Sequence, residues 1–209
     1  MNHRDAVGGL WDEIGELQLR FLVAQGLEPG HRLLDVGCGS FRAGVRLLRY
    51  LDPSHYFGLD ANAGLIEAGL KHEVGPEGLL ERLPRENLLV TALFEAHRFG
   101  VLFDVALAQS VFTHLTANQI RRCLVELPRA MKPGAVLWAT FFECPEGLPE
   151  EQPLRHEPGG ITTFLDQDPF HYREEDLRRI AAGLPWEITK IGAWGHPRDQ
   201  RMLRLVRAG

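Results

Sequence analysis

Leu33-Leu34-Asp35-Val36-Gly37-Cys38-Gly39-Ser40 decides how this chain folds. An apolar run carrying one carboxylate ends in two glycines one residue apart. Phe41-Arg42-Ala43-Gly44-Val45-Arg46-Leu47-Leu48-Arg49 then follows with a helical period. Phe41, Val45 and Leu48 share one face; Arg42, Arg46 and Arg49 share another. The three parts read as strand, glycine-rich turn and helix, the arrangement that brings a backbone close to a nucleotide-like ligand. A dinucleotide-binding turn wants G-x-G-x-x-G. Counted from Gly37, the third glycine position holds Arg42, which is expected to obstruct the close strand–helix approach that this glycine permits. No Gly-Lys-Ser/Thr follows, so the turn is not a phosphate-binding P-loop. The expected ligand is nucleotide-like and lacks a pyrophosphate.

Upstream, Leu10, Ile14, Leu17, Phe21 and Ala24 recur at spacings of four and three and predict an amphipathic helix over residues 9–25, ended by Gly26 and Pro29. Gln18 and Arg20 lie off that stripe, on faces that are either solvated or turned over a ligand. Downstream, strands are predicted at His31 to Val36, His55 to Asp60, Asn87 to Thr91, Phe103 to Gln109 and Ala135 to Phe142. Asn62 is placed to cap one intervening helix. Thr116-Ala117-Asn118-Gln119 has capping-box spacing and opens another, running to about Met131 before Lys132-Pro133-Gly134. The alternation predicts a parallel sheet covered on both faces. A helix is expected from Tyr172 to Leu184, then strands at Glu187 to Ile191 and Gln200 to Val206 around Gly195-His196-Pro197-Arg198. So short a connection joins antiparallel neighbours. Between Cys144 and His171 stand five prolines and Gly159-Gly160; a loop this long in one domain reads as a lid or substrate loop.

At 209 residues the chain suits a single domain. Its 23 Lys and Arg against 28 Asp and Glu leave a net charge of −5, which argues against nucleic acid as a partner, because phosphate contacts need clustered cations. Three widely spaced cysteines indicate neither a disulfide framework nor a metal site. Neither a signal segment nor a run of membrane-spanning length is seen, so a cytoplasmic, non-membrane setting is expected.

Leu34-Asp35-Val36-Gly37-Cys38-Gly39 resembles motif I of the class I S-adenosylmethionine-dependent methyltransferases. Asp60, an acid ending the second strand, matches that family's second hallmark. Residues Phe103 to Leu115 resemble the motif that many small-molecule methyltransferases carry at the fourth strand, and the resemblance extends over roughly residues 10–207. It implies a Rossmann-like, doubly wound sheet of mostly parallel strands, seven in number and ordered 3-2-1-4-5-7-6, with a terminal antiparallel hairpin. The implied cofactor is S-adenosylmethionine. Its amino-acid end falls to Asp35, Gly37, Cys38 (through its backbone N–H) and Gly39, and its ribose hydroxyls to Asp60, since a carboxylate accepts two hydrogen bonds from a diol. Ala61, Ala92, Leu93, Gln109 and Ser110 complete the implied cofactor set. Two departures stand out: Phe41 replaces the third glycine of the longer G-x-G-x-G form, and Thr91-Ala92-Leu93-Phe94 lacks the acid often found near the adenine, Glu95 coming later.

The acceptor is expected to be a small molecule, since no recognition domain is added. His114 is the candidate general base, needed only if the acceptor must lose a proton. His171, Tyr172 and His196 are candidate acceptor contacts, each with an alternative structural role. His114, His171 and His196 lack short ligand spacing, so no metal is expected. Trp11, Trp138, Trp186 and Trp194 read as core or pocket wall. Two other functions fit the same turn: an NAD-dependent oxidoreductase, disfavoured by Arg42 and the hairpin, and a non-catalytic S-adenosylmethionine-binding protein.

Overall fold

The structure, a computed structural model, describes residues 3–209. A short helix α1 (His3–Ala6) and the amphipathic α2 (Trp11–Ala24) lead into β1 (Leu33–Val36), α3 (Gly44–Tyr50), β2 (Tyr56–Asp60) and α4 (Ala63–Gly69). Then come β3 (Leu88–Val90), β4 (Phe103–Ala108), α5 (Ala117–Glu126) and β5 (Met131–Glu143). The long loop contains β6 (Leu154–His156), β7 (Ile161–Thr163) and β8 (His171–Tyr172), and the chain closes with α6 (Glu174–Ile180), β9 (Trp186–Ala193) and β10 (Arg201–Arg207). The main sheet runs β3-β2-β1-β4-β5-β10-β9. Its first five strands are parallel, and β10 is antiparallel to both β5 and β9. Counting only these seven, the order is the expected 3-2-1-4-5-7-6, a Rossmann-like sheet with a terminal antiparallel hairpin.

β1 is buried along its whole length, as a strand covered on both faces must be. Alternate residues serve opposite layers. Leu34 and Val36 pack with Ile120 and Leu124 of α5 and Leu177 of α6, while Leu33 packs with Leu22 of α2, Leu47 and Leu48 of α3, and Ile66 of α4. Each fully buried Leu or Ile there contributes about 1.5–3 kcal/mol of apolar burial. Both predicted caps form. The Asn62 side chain accepts from Gly64 N and Leu65 N, and Thr116 and Gln119 make a reciprocal capping box.

Three boundaries differ from the sequence reading. α5 ends at Glu126 and tightens into a 3-10 turn over Leu127–Arg129, because Pro128 cannot continue an α-helical ladder. Lys132-Pro133-Gly134 is therefore a bulge within β5: the register on β4 slips between Phe103↔Met131 and Val105↔Val136, and Gly134 takes φ 80°. Tyr172 belongs to β8 on the edge of β5, and α6 begins two residues later, where the Asp176 carboxylate accepts from Arg173 N at 3.2 Å. The proline-rich loop is likewise a folded flap, with β6 and β7 forming an antiparallel pair. No helix among the described residues is long and apolar enough to cross a membrane.

Candidate functional site

A cavity of about 380 Å³ opens at the carboxyl edge of β1, β2 and β4, the topological switch point where open α/β sheets hold ligands. The glycine turn forms its floor. Gly37 (φ 71°) and Gly39 (φ 52°) adopt backbone that side chains resist, and a Cβ on either would lie 2.6 Å from Val111 or 2.7 Å from Val7. The turn is held from below. Gly37 N and Cys38 N both donate to Leu59 O, at 2.7 and 3.1 Å, and Gly39 N donates to Asp60 Oδ2 at 2.8 Å. The Cys38 N–H is thus engaged by the fold, which corrects its assignment as the ligand contact of that residue; Cys38 still lines the cavity.

Asp60 also accepts from Asn62 N at 2.8 Å through Oδ1. Two backbone N–H groups thus orient its carboxylate, and each oxygen keeps a lone pair for a ligand. Asp35 is buried beside it, accepting from the Tyr56 hydroxyl at 2.7 Å. Burial pushes the Asp35 carboxyl up to about 7, with the Asp60 charge adding to the rise and the Tyr56 and Arg42 contacts opposing it.

Above the end of β4, Gln109 is the hub of a buried polar network. Its Oε1 accepts from Gln18 Nε2 at 2.9 Å and Arg42 Nη2 at 2.7 Å. Its Nε2 faces Ser110 Oγ at 2.5 Å, His196 Nε2 at 3.2 Å and Gln200 Oε1 at 3.3 Å. Ser110 sits at φ 58°, strained backbone for a non-glycine, with its N–H donating to Thr140 Oγ1 at 2.7 Å. His196 is pulled down to about 3 by burial and by the neighbouring Arg42 and Arg198 charges, so it stays neutral.

Residues 3–9 close the cavity as a strap. Arg42 Nη1 donates to Val7 O at 2.8 Å and Gly9 O at 3.0 Å, and Arg198 Nη2 donates to Gly8 O at 2.5 Å. At the strap's other end His3 Nε2 and Arg4 Nε each lie 2.6 Å from Glu73 Oε1, and Arg4 stacks over Trp11 at 4.7 Å. Burial would raise the Glu73 carboxyl, but the Arg4 and His3 hydrogen bonds outweigh it and leave the group below its ordinary range. The flap contributes Ile161 and Pro169 to the rim, and Phe142 of β5 also faces the cavity.

Of the residues expected at the site, Asp35, Gly37, Cys38, Gly39, Asp60, Gln109, Ser110 and His114 line this cavity together. His114 pairs with Asp168 of the flap, Nδ1 to Oδ1 at 2.5 Å, with both side chains more than half exposed. Ala61, Ala92 and Leu93 stand exposed at the sheet edge outside the lining. His171 and Tyr172 are not brought to the cavity. His171 is fully buried between Thr163 Oγ1 (2.9 Å) and Glu150 O (2.9 Å), and the Tyr172 hydroxyl donates to Leu115 O at 2.5 Å, so both act within the fold. His196 is outside the lining and meets it through Gln109 Nε2 (3.2 Å) and the Arg198 N–H, which donates to its Nδ1 at 3.2 Å. Sequence reading missed Arg42, Arg198, Gln200 and the strap; the polar Gln18 on an otherwise apolar helix was their one visible trace, while its neighbour Arg20 is solvated.

Residues 34–137 match a family model described as a methyltransferase domain. Among solved structures the chain is similar to an S-adenosylmethionine-dependent methyltransferase from Clostridium acetobutylicum. The TM-score is 0.68 at 12% identity, covering 98% of this chain and 94% of that one. It is also similar to magnesium protoporphyrin IX methyltransferase from Synechocystis with bound S-adenosylmethionine, with a TM-score of 0.62 at 17% identity over 93% of this chain and 81% of that one. The [4+2]-cyclase SpnF gives a TM-score of 0.62 at 17% identity, covering 92% and 80%. At these identities the structural likeness is one of fold.

Proposed function

We propose that this chain, whose residues 34–137 match a methyltransferase-domain family model, transfers a methyl group from S-adenosylmethionine to a small-molecule acceptor by in-line displacement. One observation carries the reading: the Asp60 carboxylate, oriented by Gly39 N and Asn62 N, faces the cavity beside a glycine turn with no room for a Cβ. A diol-accepting carboxylate next to a close backbone approach fits a ribose with a short linear tail.

The bound sulfonium supplies an activated methyl group, so positioning and water exclusion by the protein account for much of the rate. Asp60 holds the ribose hydroxyls; Asp35 and the Gly37–Gly39 turn hold the amino-acid end. Gln109 and Ser110 present fixed dipoles beside the reacting centre, and the strap and flap exclude water. His114 is the group for an acceptor that must lose a proton: Asp168 accepts from Nδ1–H, which leaves Nε2 as the base. The modest cavity and the acidic balance support a small molecule over a nucleic acid, and three free, buried cysteines support a reducing cytoplasm. SpnF is named a cyclase, so the fold by itself does not fix the reaction, and a non-catalytic binding protein is the second reading.

Thermal shift separates the ligands. S-adenosylhomocysteine is expected to raise the melting temperature and NAD to leave it unchanged. Asp60→Ala is expected to abolish the S-adenosylhomocysteine shift. A shift with NAD alone, or an undiminished response in Asp60→Ala, contradicts the proposal.

A further inference from the structure

Among the described residues, two buried polar atoms at this cavity have no hydrogen-bond partner, and they are of opposite kinds. Arg42 is 7% exposed and Gln18 is 4% exposed; both line the cavity, and Arg42 Nε and Gln18 Oε1 make no hydrogen bond. The orientation of Gln18 follows from its neighbours. A guanidinium only donates, so the Gln109 atom facing Arg42 Nη2 must be the carbonyl oxygen. Gln18 must then present its NH2 group to that same oxygen, which turns its own Oε1 away as an acceptor without a donor. An unmade hydrogen bond on a buried group is costly, so two of them on one wall require an explanation.

The charges point the same way. Arg42 and Arg198 both line the cavity, and neither forms an ion pair with a carboxylate within 4.0 Å among the described residues; their hydrogen bonds go to the carbonyls of Val7, Gly8 and Gly9 and to Gln109. Burial and the proximity of Arg198 bring the Arg42 guanidinium down to about 10. The buried carboxyl whose field favours the charged Arg42 is Asp35, which makes no ion pair with it and which burial itself pushes up to about 7. A carboxylate ligand would supply the missing negative charge, and an ammonium beside it would find Gln18 Oε1 and Asp35.

We infer that Arg42 and Gln18 read the carboxylate and the ammonium of an α-amino-acid group in this cavity, Arg42 donating through Nε and Gln18 accepting through Oε1. The inference rests on the methyltransferase reading and deepens it. Such a group has two sources: the amino-acid end of the methyl donor, or an amino-acid acceptor.

Calorimetry on the full chain distinguishes them, using S-adenosylhomocysteine, which carries the group, and 5′-methylthioadenosine, which lacks it. If the donor is the source, Gln18→Leu and Arg42→Lys each weaken S-adenosylhomocysteine at least tenfold and leave 5′-methylthioadenosine unchanged. Because Arg42 also grips the strap, a merely structural role would weaken both ligands alike, and that result overturns the inference. If the acceptor is the source, both variants bind S-adenosylhomocysteine normally, and the saturated wild type, unlike the variants, shows saturation-transfer NMR contacts to millimolar glycine. Normal S-adenosylhomocysteine binding by both variants with no glycine contact in the wild type also overturns it. Should Gln18→Leu fail to fold, Arg42→Lys alone carries the comparison. A wild type that binds neither nucleoside refutes the methyltransferase reading itself, and the inference falls with it.

Discussion

Asp35 is a cavity residue whose chemistry the fold alters strongly. Its folded value of about 7 lies above an unfolded value near 3.8, so between about pH 4 and 7 the folded state holds a proton that the unfolded state has released. Stability contributed in this way is full below pH 4, falls as pH rises through that window, and levels off above 7. Asp35→Asn should flatten this part of the stability profile, which denaturant titrations at successive pH values will read; an unchanged slope would show that Asp35 is already ionised. His114→Gln makes a second test at this scale. If the acceptor loses a proton in the reaction, kcat should fall about 10²–10⁴-fold with S-adenosylhomocysteine affinity unchanged, and Asp168→Asn should fall in the same direction by less. The acidic residues were readable from sequence because a strand end and a glycine turn fix where they point. Arg42 was misread: Phe41 takes φ 68°, which delays α3 until Gly44, so Arg42 precedes the helix and reaches Gln109 instead of wedging against the strand.

The elements show where that close approach moved. A Cβ on Gly44 would lie 2.8 Å from both Phe41 Cβ and Tyr56 Oη, so Gly44, two residues past the expected position, lets α3 sit against β2. Gly44→Ala should destabilise by about 1–3 kcal/mol, as overpacking does, and should disturb the Tyr56–Asp35 hydrogen bond; a variant melting with the wild type would contradict this packing account. The strap is the other element with a testable role. Glu73→Gln keeps the shape and removes the charge that holds His3 and Arg4. Backbone amides in residues 3–9 should then exchange several-fold faster, and S-adenosylhomocysteine should dissociate faster. Equal protection in the variant would show that Arg42 and Arg198 hold the strap unaided. The alternation of strands and helices was legible because burial on two faces writes near-continuous apolar runs. The strap and the flap strands were not, because they are short and their order comes from arginine–carbonyl bonds and from packing on β5, neither of which leaves a period in sequence.

For the molecule as a whole, a doubly covered parallel sheet sets its ligand crevice where β1 and β4 diverge, and the remaining pieces cover that crevice from three sides. Strap, flap and terminal hairpin come from the start, middle and end of the chain, so most of the enclosing wall is contributed by segments far apart in sequence. That separation explains why the cavity lining at the strand ends and the glycine turn was readable and the enclosing wall was not: the former follows local strand and turn patterns, while the latter is assembled only when the chain has folded. The central claim is that this crevice holds S-adenosylmethionine. Calorimetric titration of S-adenosylmethionine into the wild-type protein tests it most directly. The account predicts saturable one-to-one binding with a dissociation constant well below millimolar, whereas no heat of binding at millimolar ligand would contradict it.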